Sequence, residues 1–482
     1  MFNDLREFIK QVEQLGEVRV VEGADWDLEI GRITELALSD PKSPLLVFDK
    51  IKGYPAGYRV VTNFLNSPKR LSMALGLPLY DKEVDLVKAW RDLIKQGFKP
   101  IPPVEVKSGP VKENILVGDD VDLFKFPAPK WHELDGGRYI GTGHMVIQRD
   151  PDEGWVNAGA YRVQIHDKSI ATIHIVPGRH GRIIASKYWD RGLSCPTVVV
   201  CGEDPLLWRA TISDIPWGES EYDYAGWLRN KPVEVVRGET VDLPIPATAE
   251  IALEGELVSP EVETQIEGPF GEWEGYYATG ARPEPVFKVK AILHRNEPII
   301  TGAPPTVAAF DYEFGGYINR TAFLWNELDK HVPGVKGVRL PPETRSMMSI
   351  ISLKQQYPGH AKQAAMLASG VYGIGTAQMS RFTVIVDDDI DPNNMSEVLW
   401  AIVTRCDPAT SIDIIDGCWG AGSDPRLDPE KRERGDLTCS KAIIYACKPY
   451  SWIKQFPPSI KSSPEVLAQV QKKWGKVISG KP

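Results

Sequence analysis

Long apolar runs are missing from this chain of 482 residues: none approaches the ~20 residues that a helix needs to cross a bilayer. A membrane-embedded role is therefore not expected. Cysteine is scarce. The six present (Cys195, Cys201, Cys406, Cys418, Cys439 and Cys447) include no CxxC pair, which argues against a zinc ribbon and against a disulfide framework. They read as reduced, mostly buried thiols of a cytoplasmic protein. No block of Lys or Arg stands out, and 56 basic against 65 acidic residues leave a net charge of −9. Nucleic acid is not expected as a partner, and an anionic substrate must be met by locally placed cations. Neither a GxGxxG run nor a Walker-type loop occurs, so any nucleotide-like cofactor is held by other means. Internal repeats and low-complexity tracts are absent too. At the start, charges at Asp4, Arg6, Glu7 and Lys10 interrupt the apolar residues, and Leu5, Phe8, Ile9, Val12 and Leu15 fall at helical spacing. That segment reads as an amphipathic helix and not as a secretory signal.

What is present is enough for a large core: 42% hydrophobic and 25% charged residues in a chain long enough for two or three domains. Residues 1–110 read as a small α/β unit. It has a strand at Val18 to Val21, a helix from Asp27 with Ile30, Ile33 and Leu36 on one face, and a strand at Leu45 to Phe48. Ser67-Pro68 supplies an N-cap and a first-turn proline for a further helix. Lys99 to Pro103 is an extended linker. In residues 111–305 short apolar runs recur between Gly, Pro and Asp: Gly141 to Ile147, Tyr161 to Ile165, Ile170 to Val176, Thr197 to Val200, Val233 to Val236 and Phe287 to Leu293. This pattern predicts a β-rich, barrel-like domain with a few inserted helices. Residues 306–482 return to alternating helices and strands, a second α/β domain. The expected class is α+β and multidomain.

The most informative chemistry is a pair of acids, Glu267 and Glu272, across the turn Gly268-Pro269-Phe270-Gly271. Gly and Pro favour a tight loop there, and unequal surroundings can leave one carboxyl ionised and the other able to donate a proton. A solvated acidic turn is the commoner fate of such a pair. Arg162 enters a strand after Asn157-Ala158-Gly159-Ala160-Tyr161, where an inward guanidinium can grip a carboxylate bidentately. Taken alone, it reads more readily as a surface residue. His180 ends an apolar strand region and opens a helix; with Asn157 and Glu221 it offers mixed N and O donors suited to Mn²⁺ or Mg²⁺. A lone histidine is more often a hydrogen-bonded structural residue. The acidic run Asp387-Asp388-Asp389-Ile390-Asp391 at a strand end invites a Mg²⁺-phosphate reading, but a solvated turn with Asn393 or Asn394 capping the next helix is preferred.

In order, these segments resemble the UbiD-type decarboxylases that use prenylated flavin mononucleotide (prenyl-FMN). The matching pieces are Asn157 to Arg162, Pro177 to His180, Pro216 to Glu221, Pro246 to Gly255, Glu267 to Glu272, Lys354 to Ala361, and Val386 to Asp391 with Leu399 to Arg405. Each is weak alone; the ordered set is specific. The resemblance implies a small N-terminal α/β unit, a central split β-barrel of flavin-reductase type that binds prenyl-FMN, and a C-terminal α/β oligomerisation domain. It assigns Arg162, Glu267 and Glu272 as the catalytic network. Asn157, His180 and Glu221 become ligands of a divalent ion, Mn²⁺ or Mg²⁺, on the cofactor phosphate, with K⁺ nearby. Lys354 is a phosphate contact. Arg179, preceding His180, stands where ferulic-acid-type members carry Gln, so it too is placed at the cofactor, with a role left open and the substrate with it.

The implied reaction is reversible non-oxidative decarboxylation of an aromatic or α,β-unsaturated acid through a covalent prenyl-FMN adduct. Arg162 and Glu267 would position the carboxylate, and Glu272 would protonate the carbon that loses CO₂. The implied partners are a small aromatic acid and CO₂, a flavin prenyltransferase as cofactor supplier, and further copies of the chain in a homodimer or homohexamer. Three rivals stay open: a carboxylase of a phenol or arene, a two-carboxylate glycoside hydrolase on Glu267 and Glu272, and a noncatalytic or redox flavin subunit.

Overall fold

Leu5, Phe8 and Val12 lie on one face of the first helix, Leu5–Gln14, and all three are buried; the helix is capped by Asp4, whose carboxylate accepts from Glu7 N. The computed structural model describes residues 2–40, 42–213, 215–308, 316–345, 347–370 and 380–479. Strands Val18–Glu22, Leu45–Asp49 and Arg59–Thr62 follow in the N-terminal sheet, and its fourth strand, Ile299–Gly302, arrives from far along the chain to pair in parallel with Arg59–Thr62. The helix expected from Asp27 runs Glu29–Ala37 and faces inward with Ile30, Gly31 and Thr34, whereas Leu36 is 75% exposed. Gly31 sets that face: a Cβ there would lie 2.1 Å from the Trp131 carbonyl oxygen, so the helix can rest directly on that backbone. Ser67 caps Pro68–Ala74 by accepting from Arg70 N, as its sequence signature predicts.

The central domain is built on a ten-stranded antiparallel sheet. Its path runs Arg138–Gly141, Val163–Ile165, Ile170–Ile173, Arg282–His294, Ile251–Leu257, Cys195–Cys201, His144–Arg149, Val156–Gly159, with Thr264–Glu267 and Asn114–Val117 also on Arg282–His294. The predicted single run Gly141 to Ile147 is two strands. Residues Thr142 and Gly143 turn aside because their polar groups are engaged by the incoming strand: Ala303 N donates to Thr142 Oγ1 at 3.2 Å, and Thr301 Oγ1 donates to the Gly143 carbonyl. The long strand Arg282–His294 tolerates Pro283 and Pro285 because that stretch pairs only with Thr264–Glu267.

The C-terminal domain is a five-stranded mixed sheet, ordered Val335–Arg339, Met348–Leu353, Phe382–Asp387, Thr438–Ala446, Ile412–Trp419. One continuous core joins it to the N-terminal unit, with Leu5, Trp90, Trp325, Leu353 and Ile443 in the same apolar cluster. The acidic strand end departs from the expected solvated turn. Asn394 does cap Met395–Arg405, but Asp387 is buried and Arg405 binds both Asp387 (2.9 Å) and Asp389 (2.8 Å), with Lys448 Nζ on Asp389. Two side-chain cations fill the place a metal would take.

Candidate active site

Arg162 directly precedes Val163–Ile165, and its carbonyl accepts at 3.1 Å from the N–H of His174, just past the neighbouring strand Ile170–Ile173, which fixes its backbone there. Glu267 ends Thr264–Glu267, and the chain then turns through Gly268 at φ +84°. Gly136 lies against this turn: its N–H donates to the Pro269 carbonyl at 2.8 Å, and a Cβ on it would lie 2.0 Å from the Gly268 oxygen.

These elements bring the three predicted side chains together. Arg162 donates from Nε and Nη2 to the two oxygens of Glu267 at 2.8 and 2.9 Å, and from Nη1 to Glu272 at 3.2 Å. Its guanidinium carbon sits 5.2 Å from the Phe270 ring centroid, and the arginine side chain is 11% exposed. Burial disfavours a charge on Glu267, but the Arg162 hydrogen bonds and charge outweigh it and hold the carboxyl below its ordinary range. The Tyr139 hydroxyl stands 2.9 Å from Glu267 Oε1 and 3.0 Å from Gln164 Oε1, and its pKa is raised by burial and by Glu267. Glu272 sits on a tight turn, its N–H on the Tyr276 carbonyl, and its carboxylate also accepts from Thr279 Oγ1 at 3.3 Å.

The adjacent Tyr161 points into a second cluster. Its hydroxyl accepts from Gly181 N at 3.1 Å. Asn157 is buried, with its Nδ2 unpartnered among the described residues. Next to it, Ala158 N donates to Glu221 Oε2 at 2.7 Å. Glu221 opens the helix Glu221–Arg229; burial pushes its carboxyl up to about 8. His180 opens His180–Trp189, with its ring edge-on to Trp217 (5.3 Å) and Trp155 (5.8 Å); burial, then the Arg179 charge, lower its pKa. One dipeptide, Tyr161-Arg162, thus joins the carboxylate network to the Asn157/His180/Glu221 neighbourhood.

Three family models match the chain. They are the 3-octaprenyl-4-hydroxybenzoate carboxy-lyase N-terminal domain over residues 9–90, the Rift-related domain over 103–307 and the C-terminal domain over 314–446. The chain belongs to the UbiD family. It is accordingly an enzyme of the carboxy-lyase class. Among UbiD relatives it is 32% identical over 442 residues to a phenolic acid decarboxylase of Sedimentibacter hydroxybenzoicus, with 89% of each chain covered. It is 31% identical over 451 residues to pyrrole-2-carboxylic acid decarboxylase of Pseudomonas aeruginosa, covering 90% of this chain and 89% of the relative. The evolved dimeric form of the UbiD-class enzyme HmfF from Pelotomaculum thermopropionicum, in complex with prFMN, aligns with a TM-score of 0.80 at 28% identity over 96% of this chain and 98% of that one.

Two residues expected at the cofactor of this UbiD chain are exposed, Arg179 beside His180 and Lys354 in the C-terminal domain. Arg179 is exposed at the N-cap of His180–Trp189 and makes no side-chain cap bond. Lys354 is exposed just past Met348–Leu353 in the C-terminal domain, its N–H on the Gly334 carbonyl at 2.9 Å. Conversely, sequence reasoning passed over Tyr139, Gln164, His174, Arg282 and Glu284. His174 Nδ1 lies 2.7 Å from Glu284 Oε1, and Arg282 Nε lies 2.7 Å from that same oxygen. His174, Glu267 and Glu284 offer ligand atoms within 4.8 Å of one another, yet Arg162 and Arg282 already neutralise the two carboxylates. No local signal marks these residues, because they meet only through strand pairing.

Proposed function

We propose that this UbiD enzyme catalyses the reversible, non-oxidative decarboxylation of an aromatic or α,β-unsaturated carboxylic acid with prenyl-FMN as cofactor. The observation that carries this reading is a buried guanidinium bonded along one edge to Glu267 and at Nη1 to Glu272. Glu267, kept ionised by that pairing, fixes the plane of Arg162; Arg162 in turn orients the substrate carboxylate. Departure of CO₂ ends that contact, so Arg162 acts by orientation. Glu272 delivers a proton to the carbon that loses CO₂ and must be neutral at that step; in reverse it removes the proton. When bound, prenyl-FMN supplies the electrophilic chemistry that accepts the electron pair left at that carbon.

The residues fit a cation and a cofactor phosphate. Among the described residues Glu221 is a buried carboxyl with no cation beside it, and His180 is disfavoured as a cation itself; the orphaned Asn157 Nδ2 is a donor that suits a phosphate oxygen, leaving its Oδ1 for the ion. Oxygen and imidazole donors of this kind suit Mn²⁺ or Mg²⁺. Asn157, His180 and Glu221 would hold that ion on the cofactor phosphate, with Arg179 and Lys354 as further cations and K⁺ nearby. A flavin prenyltransferase would supply the cofactor. A homodimer or homohexamer is supported by the exposed apolar residues Val466, Leu467, Val470, Trp474, Val477 and Ile478 on the C-terminal helix Pro464–Ser479.

Carboxylation of a phenol or arene uses the same residues, since a catalyst lowers both barriers equally. The glycoside hydrolase reading finds no support here, because one guanidinium binds both acids. Glu272→Gln tests the proposal: cofactor absorbance is retained while exchange of the product proton with D₂O is lost. Undiminished exchange in that variant refutes Glu272 as the donor.

A further inference from the structure

Two residues beyond Glu272, the same turn carries a second acid. Glu274 is 8% exposed, and its Oε1 accepts from Ser423 Oγ at 2.5 Å. Ser423 belongs to the C-terminal domain, in a loop fixed by Asp424 pairing with Arg381 and by Arg432 donating to the carbonyls of Gly422 and Asp424. The contact therefore ties the turn that bears Glu272 to another domain. Glu274 Oε2 is buried without a partner among the described residues. The charged groups facing it are Glu272 on its own turn and Asp424 across the interface, and Asp424 is engaged by Arg381. Among the described residues no ammonium or guanidinium is paired with Glu274. The turn itself is short and stiff: Glu272 N donates to the Tyr276 carbonyl and Gly275 N to the Glu272 carbonyl, both at 2.9 Å. A shift of Glu274 must move Glu272.

We propose that Glu274 is a positioning residue: its protonated carboxyl, seated on Ser423, holds the Glu272 turn against the C-terminal domain, and ionisation unseats it. An uncompensated carboxylate in this dry position, facing two other acids, loses more hydration than one serine hydroxyl returns. Burial, opposed by the Ser423 bond, pushes the group up to about 8. The neutral form is favoured in the folded protein, so the stabilising contact is complete at low pH and is lost as pH rises through about 8. The catalytic consequence rests on Glu272 being the proton donor; the docking itself does not.

The test uses the full chain loaded with its cofactor, comparing the parent with Glu274→Gln, Glu274→Ala and Ser423→Ala. Hydrogen exchange of peptides spanning residues 268–280, corrected for intrinsic rates, is read from pH 6.5 to 9.5 beside kcat and KM. In the parent, exchange of this turn rises and kcat falls above about pH 8. Glu274→Gln, neutral at every pH, keeps both flat. Glu274→Ala opens the turn throughout and lowers kcat by about tenfold or more with KM little changed, since small misplacements of a catalytic group cost that much; Ser423→Ala shifts both profiles the same way. An alkaline opening that persists in Glu274→Gln overturns the proposal. Exchange that behaves as expected beside a kcat profile unaltered by any variant upholds the docking and refutes Glu272 as donor, so the two failures are distinguishable.

Discussion

Arg162→Lys keeps the positive charge while removing the fork, and so separates orientation from simple attraction. The guanidinium makes three charge-assisted bonds, at 2.8 and 2.9 Å to Glu267 and at 3.2 Å to Glu272. An ammonium on a flexible stem can keep one strong bond to Glu267, but cannot lie flat along that carboxylate and reach Glu272 as well. Two such bonds are lost, each worth roughly 1.5–3 kcal/mol. The remaining charge and entering water recover part of this, leaving about 3 kcal/mol of orientation lost in the transition state, or roughly a hundredfold in rate. The assay is CO₂ release from an aromatic-acid panel, as kcat and kcat/KM, with flavin absorbance of each preparation as the loading control. The loss is expected in both parameters at equal cofactor content. A lysine variant within about fivefold of the parent would refute the argument, because charge alone would then suffice.

His180→Ala should yield protein purified without flavin absorbance, since the ion proposed to screen the cofactor phosphate would lose its imidazole ligand; full absorbance argues against that role. Gly136→Ala should cut activity at least tenfold with modest loss of thermal stability, because its Cβ would strike the Gly268 carbonyl and displace the turn between the two acids; unaltered kinetics would mean the turn gives way freely. Glu267 is held below the ordinary Glu value of about 4.3. Its pairing therefore stabilises the fold above that value, and the contribution is lost as pH falls through the lower folded value. The melting-temperature gap between the parent and Glu267→Gln should be widest near neutrality and close on acidification, whereas a gap that widens in acid would contradict the sign.

Much of the fold was legible because it rests on local rules. Ser67-Pro68 starts a helix and Asn394 caps another, because caps act within a few residues. The misreadings came where a distant segment intervened. Leu36 is exposed because Gly31 admits the Trp131 backbone on another face of the helix. The run from Gly141 to Ile147 is broken because Thr301 and Ala303, far along the chain, bind Gly143 and Thr142. The acidic strand end is an ion-pair network because Arg405 and Lys448 fold back onto it.

The site divides the same way. Residue identity and order alone named Asn157, Arg162, His180, Glu221, Glu267 and Glu272, since chemical type and short motifs are written in the sequence. Which oxygen each guanidinium nitrogen meets, the neutralising company of Tyr139, His174, Arg282 and Glu284, and the seating of Glu274 on Ser423 belong to the tertiary structure. Proton affinity depends on burial and on neighbours a few ångströms away in space. Those neighbours come from strands and loops more than a hundred residues apart: Arg162 and Glu267 are 105 residues apart, and Glu274 and Ser423 are 149 apart.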